Sequence, residues 1–192
     1  MAFAPIFMLS AAHPRDFPPD EGLEVALVGR SNSGKSTALN RLTGIHKLAR
    51  VSKTPGRTQL VNFFAIGEER RLVDLPGYGF ARVPRATQAR WQSLVETYLG
   101  TRRSLAGLLL TVDVRRRLME HDERMLLRVR ELGIPVLLLL TKADKLSRQA
   151  AIAEQRAIAA GAAGVPAVLF SALTNQGIAE AQSQVETWLK VQ

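Results

Sequence analysis

The sequence predicts a doubly wound α/β fold, with a mostly parallel sheet, one antiparallel strand and helices on both faces. Three observations carry the prediction. Apolar runs of strand length alternate with stretches of helical spacing. Residues 105–112 and 135–140 are nearly continuous apolar runs, the pattern of central parallel strands covered on both faces. The first run, 25–28, passes through a glycine-bearing loop straight into a helix-like stretch.

Taken in order, residues 1–22 carry His13-Pro14 and Pro18-Pro19, which deny a long helix, and read as a packed N-terminal arm before a domain that starts near Leu23. The apolar start has no preceding Lys or Arg and is broken by Pro5, so it does not read as a secretory signal. Beyond the first loop, residues 37–43 continue a helix that Gly44 ends. The stretch that follows holds His46, Lys47, Arg50, Lys53 and Arg57 without an acid, and Pro55-Gly56 marks it as an exposed loop. Residues 60–66 and 70–75 read as two strands paired antiparallel across a turn at Gly67.

Asp74-Leu75-Pro76-Gly77 then runs into Tyr78-Gly79-Phe80, too rich in glycine for immediate regular structure, and a mobile loop is expected. Residues 86–99 show helical spacing in Trp91, Leu94, Val95 and Tyr98, with Gly100 as the stop. Between the two long apolar runs, 118–132 is a helix with Met125, Leu126 and Val129 inward and Gly133 at its end. Ser147 can cap a helix over 147–160, 167–170 is the last strand, and 177–189 is the last helix. Trp91 and Trp188 fall on apolar helix faces and read as core anchors.

Composition narrows the classes. At 192 residues and 46% hydrophobic the chain can bury the core of one domain. No cysteine is present, which excludes disulfides and thiolate metal sites and suits a reducing cytosol. His13, His46 and His121 are scattered and read as surface residues. No run approaches the roughly 18 apolar residues of a membrane span, so a soluble, cytoplasmic protein is expected. A net charge of +9 favours a polyanionic partner, with nucleic acid the leading suspect and a solvated basic surface the alternative.

The chemistry starts in the first loop. Gly29 to Ser36 matches G-x-x-x-x-G-K-[ST] in the strand, loop and helix setting that the motif requires. Gly29 and Gly34 let the backbone wrap a polyphosphate, so that successive N–H groups and the start of the helix point at it. Lys35 supplies charge for the β- and γ-phosphates, and the Ser36 hydroxyl suits a bound Mg²⁺. Thr141-Lys142-Ala143-Asp144 follows an apolar strand, and its carboxylate can accept from both the ring N–H and the 2-amino group of guanine; adenine offers no such pair. Lys142 can lay its stem along the base, and a backbone N–H near Ala172 in Phe170-Ser171-Ala172 can meet the guanine oxygen.

The set GRSNSGKS, TPGRTQLVNFF, DLPGYGFARVP, TKADKL and FSAL resembles the EngB family of bacterial ribosome-assembly GTPases over residues 24–189. The resemblance implies a Ras-like G domain over 23–192, binding of GTP and GDP, a Mg²⁺ requirement, a role in assembling the large ribosomal subunit with ribosomal RNA contacts, and a link to cell division and septation. It implies a monomeric or nearly monomeric protein. Carried onto this chain, it gives a nucleotide site of Gly29, Arg30, Ser31, Asn32, Ser33, Gly34, Lys35 and Ser36. To these it adds Gly56, Arg57, Thr58, Gln59 and Leu60 from the first switch, and Asp74, Leu75, Pro76 and Gly77 from the second. Thr141, Lys142, Ala143, Asp144, Phe170, Ser171 and Ala172 complete it round the base.

Within that site the resemblance makes Ser36, Thr58 and Asp74 the Mg²⁺ residues, Asp74 through water, and has Gly77 offer its N–H to the γ-phosphate. Lys35, Thr58, Gly77 and Asn32 are the residues expected to act in hydrolysis. Asn32 stands where similar potassium-stimulated GTPases coordinate K⁺, and is either that ligand or a turn asparagine. Tyr78 replaces the glutamine that orients water in Ras-like enzymes, so intrinsic hydrolysis is expected to be slow. Thr141 replaces the asparagine of many GTPases and is expected to brace the base site less well.

Basic clusters at 47–57, at Arg82, Arg85 and Arg90, and at Arg102, Arg103 and 115–117 complete the reading. The first two border the nucleotide-sensitive loops and suggest an RNA-facing surface gated by the γ-phosphate; Arg115 to Arg117 read as a solvated loop. Two rivals are an RNA-recognition module acting without nucleotide and a phosphate-loop ATPase or kinase. An aromatic content of 6% with no aromatic and basic interleaving weakens the first, and Asp144 in its context argues against the second.

Overall fold

The computed structural model describes residues 4–45, 48, 60–79 and 85–190. The strands are β1 (Ile6–Ala11), β2 (Leu23–Gly29), β3 (Val61–Ile66), β4 (Arg70–Asp74), β5 (Leu105–Asp113), β6 (Val136–Thr141) and β7 (Ala167–Leu169). The helices are α1 (Lys35–Thr43), α2 (Arg85–Thr101), α3 (Glu120–Glu131), α4 (Arg148–Gly161) and α5 (Ile178–Trp188). Among the described residues the strands form one sheet in the order β1-β3-β4-β2-β5-β6-β7. Only β3 opposes the common direction, because it pairs antiparallel with both β1 and β4 while the remaining pairs are parallel.

The central strands are apolar on both faces because helices cover both. Ala26, Val28, Leu108, Leu110 and Leu138 face a layer built by α2, α3 and α4, including Tyr98, Val129 and Ile158. Their alternating neighbours Val25, Leu27, Leu109, Leu137 and Leu139 face α1 and α5, where Leu39, Leu42, Ala181 and Val185 are buried. Met125, Leu126 and Val129 are the buried positions of α3, as its spacing predicts. The Ser147 side chain accepts from the Ala150 N–H and caps α4.

Two readings change. The segment read as an arm contributes the edge strand β1, and Ala11 is buried in the core. The following turn is tied down by Glu24, fully buried, which accepts from Arg71 at 3.1 Å, from Arg102 at 2.5 Å and from the Tyr98 hydroxyl at 2.8 Å. The same two guanidinium groups donate to the carbonyls of Pro18, Pro19 and Glu21. Of the third basic cluster, Arg102 is therefore buried structure.

Helix α2 also runs through Gly100 to Thr101. The Arg102 N–H still bonds the Tyr98 carbonyl at 3.1 Å, and the anchoring of Arg102 on Glu24 outweighs the weak helix preference of glycine.

Candidate nucleotide site

The carboxyl ends of β2, β4, β5 and β6 converge on one edge, where a doubly wound sheet binds its ligands. Strand β2 ends at Gly29, where an added Cβ would lie 2.1 Å from Thr111 Oγ1 and 2.7 Å from Ser33 Oγ, so only glycine lets the loop close on β5. Gly34, at φ +90, is the N-cap of α1, in a left-handed conformation that glycine adopts without strain.

Three ties hold this loop to the sheet. Thr111 Oγ1 donates to the Val28 carbonyl at 3.1 Å and accepts from Ser33 Oγ at 2.7 Å. Thr141 Oγ1 donates to the Ser33 carbonyl at 2.5 Å. Lys142, at φ 61, reaches back so that Nζ donates to the Asn32 carbonyl at 2.7 Å and to Asp113 Oδ2 at 2.9 Å. Thr141, where many GTPases carry asparagine, thus ties this loop to the strand that leads into the Lys142 turn.

Asp113 also accepts from Arg115 Nε at 2.9 Å and from its terminal nitrogen at 2.7 Å. Burial pushes this carboxyl up, but the bonds from Arg115 and Lys142 outweigh it and hold Asp113 well below the usual carboxylate range. Arg117 pairs with Glu154, with Nε 2.5 Å from Oε2. Arg115 and Arg117 are therefore engaged in ion pairs, not merely solvated.

At the base end, Asp144 follows the αL residue Lys142 in a 3-10 turn. Its Oδ1 accepts from Ser171 Oγ at 2.7 Å, and this bond lowers its pKa, so the group is a carboxylate acceptor at neutral pH. Phe170 is buried, and its carbonyl accepts the Ala143 N–H at 3.2 Å, which joins this turn to the segment carrying Ser171 and Ala172.

At the phosphate end, Lys35 and Asp74 are buried and form an ion pair. Leu75 continues the β4 ladder onto Leu27, Pro76 and Gly77 follow, and the Tyr78 backbone is bonded to Gly29 and Ser31. The Ser36 hydroxyl and Asp74 carboxylate are hard oxygen donors in adjoining elements, so the donor set fits Mg²⁺, which takes its other ligands from phosphates and water. Among the described residues no group of three or more His, Cys, Asp or Glu could hold a metal alone. Leu60 precedes β3; Gly56, Arg57, Thr58 and Gln59, like Arg82, lie outside the described residues.

Sequence reasoning missed Thr111, Asp113 and Asp122 as supports of the site. Thr111 and Asp113 are the polar residues closing the apolar run of β5 at the ligand edge, a pattern that could have found them. Asp122, which accepts from the Tyr78 hydroxyl at 2.6 Å, has no such local sign.

A phosphate loop, a guanine-type carboxylate turn and this sheet order define a Ras-like GTPase. A family model described as a 50S ribosome-binding GTPase matches residues 24–142. A probable GTP-binding protein EngB of Coxiella burnetii is 49% identical over 96% of this chain and 92% of its own length. Another, of Nitrosococcus oceani, is 51% identical over 91% of this chain and 89% of its own. A crystal structure of a probable GTP-binding protein EngB superposes with a TM-score of 0.72 at 24% identity, over 88% of this chain and all of that one, and supports the fold. The chain belongs to the EngB family of GTP-binding proteins, and GTP hydrolysis is the activity that membership assigns to it.

Proposed function

We propose that this GTPase is a nucleotide-gated assembly factor that binds the large ribosomal subunit or its precursor in the GTP form and leaves after slow hydrolysis. The observation that carries the reading is the joining of phosphate loop and base turn through Thr141 and Lys142, which makes one continuous guanine nucleotide cradle. The family description as 50S ribosome-binding supports the partner, and the net charge of +9 supports contacts to ribosomal RNA. The family resemblance extends the role to cell division and septation in the cytoplasm, by a protein acting as a monomer. Residues 23–192 would then be the G domain, with β1 completing its sheet.

In the site, Asp144 would accept the two guanine donors while Lys142 lines the base and Ala172 meets the guanine oxygen. Gly29, Arg30, Ser31, Asn32, Ser33, Gly34, Lys35 and Ser36 would wrap the phosphates, with Lys35 exchanging its Asp74 partner for phosphate oxygens. Mg²⁺, held by Ser36, Thr58 and water on Asp74, would neutralise charge between the terminal phosphates when bound. Asn32, exposed and at φ 64, could add a K⁺ ligand. Gly77 would donate to the γ-phosphate. The Tyr78 hydroxyl is committed to Asp122, which fits a slow intrinsic rate, since no glutamine-like group is offered to water.

The test is co-sedimentation with large-subunit particles at two salt concentrations, with GDP, a non-hydrolysable GTP analogue, an ATP analogue or no nucleotide. Binding promoted by the GTP analogue alone is expected. Equal binding in every condition would contradict the gate, and no binding would contradict the partner.

A further inference from the structure

Tyr78 is tied on three sides. Its N–H donates to the Gly29 carbonyl at 3.2 Å, its carbonyl accepts the Ser31 N–H at 2.8 Å, and its hydroxyl donates to Asp122 Oδ1 at 2.6 Å. Asp122 is 1% exposed, and its second oxygen accepts the Met119 N–H at 3.0 Å where α3 begins. One buried carboxylate therefore joins the first turn of α3 to the residue after Gly77. Gly79, at φ +74, follows in the left-handed region.

The ring packs on the core and stands 6.1 Å from the His121 ring, and a cavity of about 520 Å³ bordered by Tyr78, Trp91, His121 and Met125 lies beside it. Losing the hydroxyl bond would leave a buried carboxylate oxygen without its donor, so that bond adds to the packing and the two backbone bonds in favouring the observed placement.

We infer that Asp122 is a positioning residue that, through the Tyr78 hydroxyl, holds the Gly77 N–H beside the phosphate loop and so sets the preference for guanosine triphosphate over diphosphate. The inference rests on Gly77 as the γ-phosphate donor. It differs from a merely structural role because a diphosphate does not use that donor.

The experiment is equilibrium binding of GDP and of a non-hydrolysable GTP analogue to the full chain and to Tyr78→Phe, Asp122→Ala, Asp122→Asn and the Tyr78→Phe/Asp122→Ala double variant. Tyr78→Phe leaves the α3 contact intact and decides the question even where Asp122→Ala fails to fold. The analogue Kd is expected to rise about fivefold in Tyr78→Phe, the size of one hydrogen bond, with the GDP Kd held within about twofold. The double variant should be no weaker than the weaker single, and Asp122→Asn, which keeps one acceptor for Tyr78 but sets its amide nitrogen against the Met119 N–H, should recover part of the loss. Equal weakening of both nucleotides, additive losses, or no change would overturn the inference. An unsubstituted chain that binds neither nucleotide would overturn the nucleotide reading itself, and this inference with it.

Discussion

The Thr141 hydroxyl at the end of β6 lies 2.5 Å from the Ser33 carbonyl, so the strand that leads to the base-recognition turn also fixes the phosphate loop. In the proposed nucleotide site this one side chain would couple base and phosphate recognition, and its removal frees a buried loop carbonyl.

Thr141→Val keeps the shape and removes the donor. It should weaken GDP and a GTP analogue alike, by about fivefold, because both use the loop. Thr141→Ser should bind as the unsubstituted chain does, and equilibrium binding of the two nucleotides checks both.

Asp113 gives a pH signature. Its folded pKa is depressed by Arg115 and Lys142 against the opposing effect of burial, so its contribution is complete above the unfolded value of about 3.9 and is lost as pH falls toward the folded value. The Tm penalty of Asp113→Asn should therefore be constant from about pH 8 to 5 and shrink below about 4. A penalty that grows in acid would contradict the assignment.

Glu24 is a buried carboxylate shared by Arg71, Arg102 and Tyr98. Glu24→Ala leaves Arg71 without its counter-ion and Arg102 with only Asp20, 3.7 Å away, and should cost about 3–5 kcal/mol in urea unfolding. It should also loosen residues 18–21 toward proteolysis, since those guanidinium groups hold their carbonyls.

Gly107 in β5 packs under Trp188 of α5, and an added Cβ would lie 2.2 Å from the indole Cδ2. Gly107→Ala should destabilise by about 1–3 kcal/mol through overpacking. Combining it with Trp188→Leu should give less than the sum of the two single losses, as denaturant midpoints would report.

Much of this was legible because local chemistry and position coincide. The periodicity of β5, β6 and α3 encodes which residues are buried, and the phosphate loop carries its glycines where Thr111 closes on Gly29 and where Gly34 takes a positive φ. The strand role of Ile6–Ala11 was hidden, because Ile6, Phe7 and Met8 stay exposed at an edge and show no alternation. Gly100 misled because a stop preference of under about 1 kcal/mol yields to the buried ion pair of Arg102, two residues on. The Tyr78–Asp122 bond spans 44 residues, and the pairing of Arg102 with Glu24 spans 78; no spacing rule reaches such contacts.

The most direct test of the central claim, a guanine nucleotide cradle built on Asp144, is base preference in Asp144→Asn. The affinities of GDP and xanthosine diphosphate would be measured for both proteins. The unsubstituted chain should prefer guanine, and the variant should prefer xanthine, because an amide donates where the carboxylate accepted. Guanine preference retained in the variant would contradict the assignment.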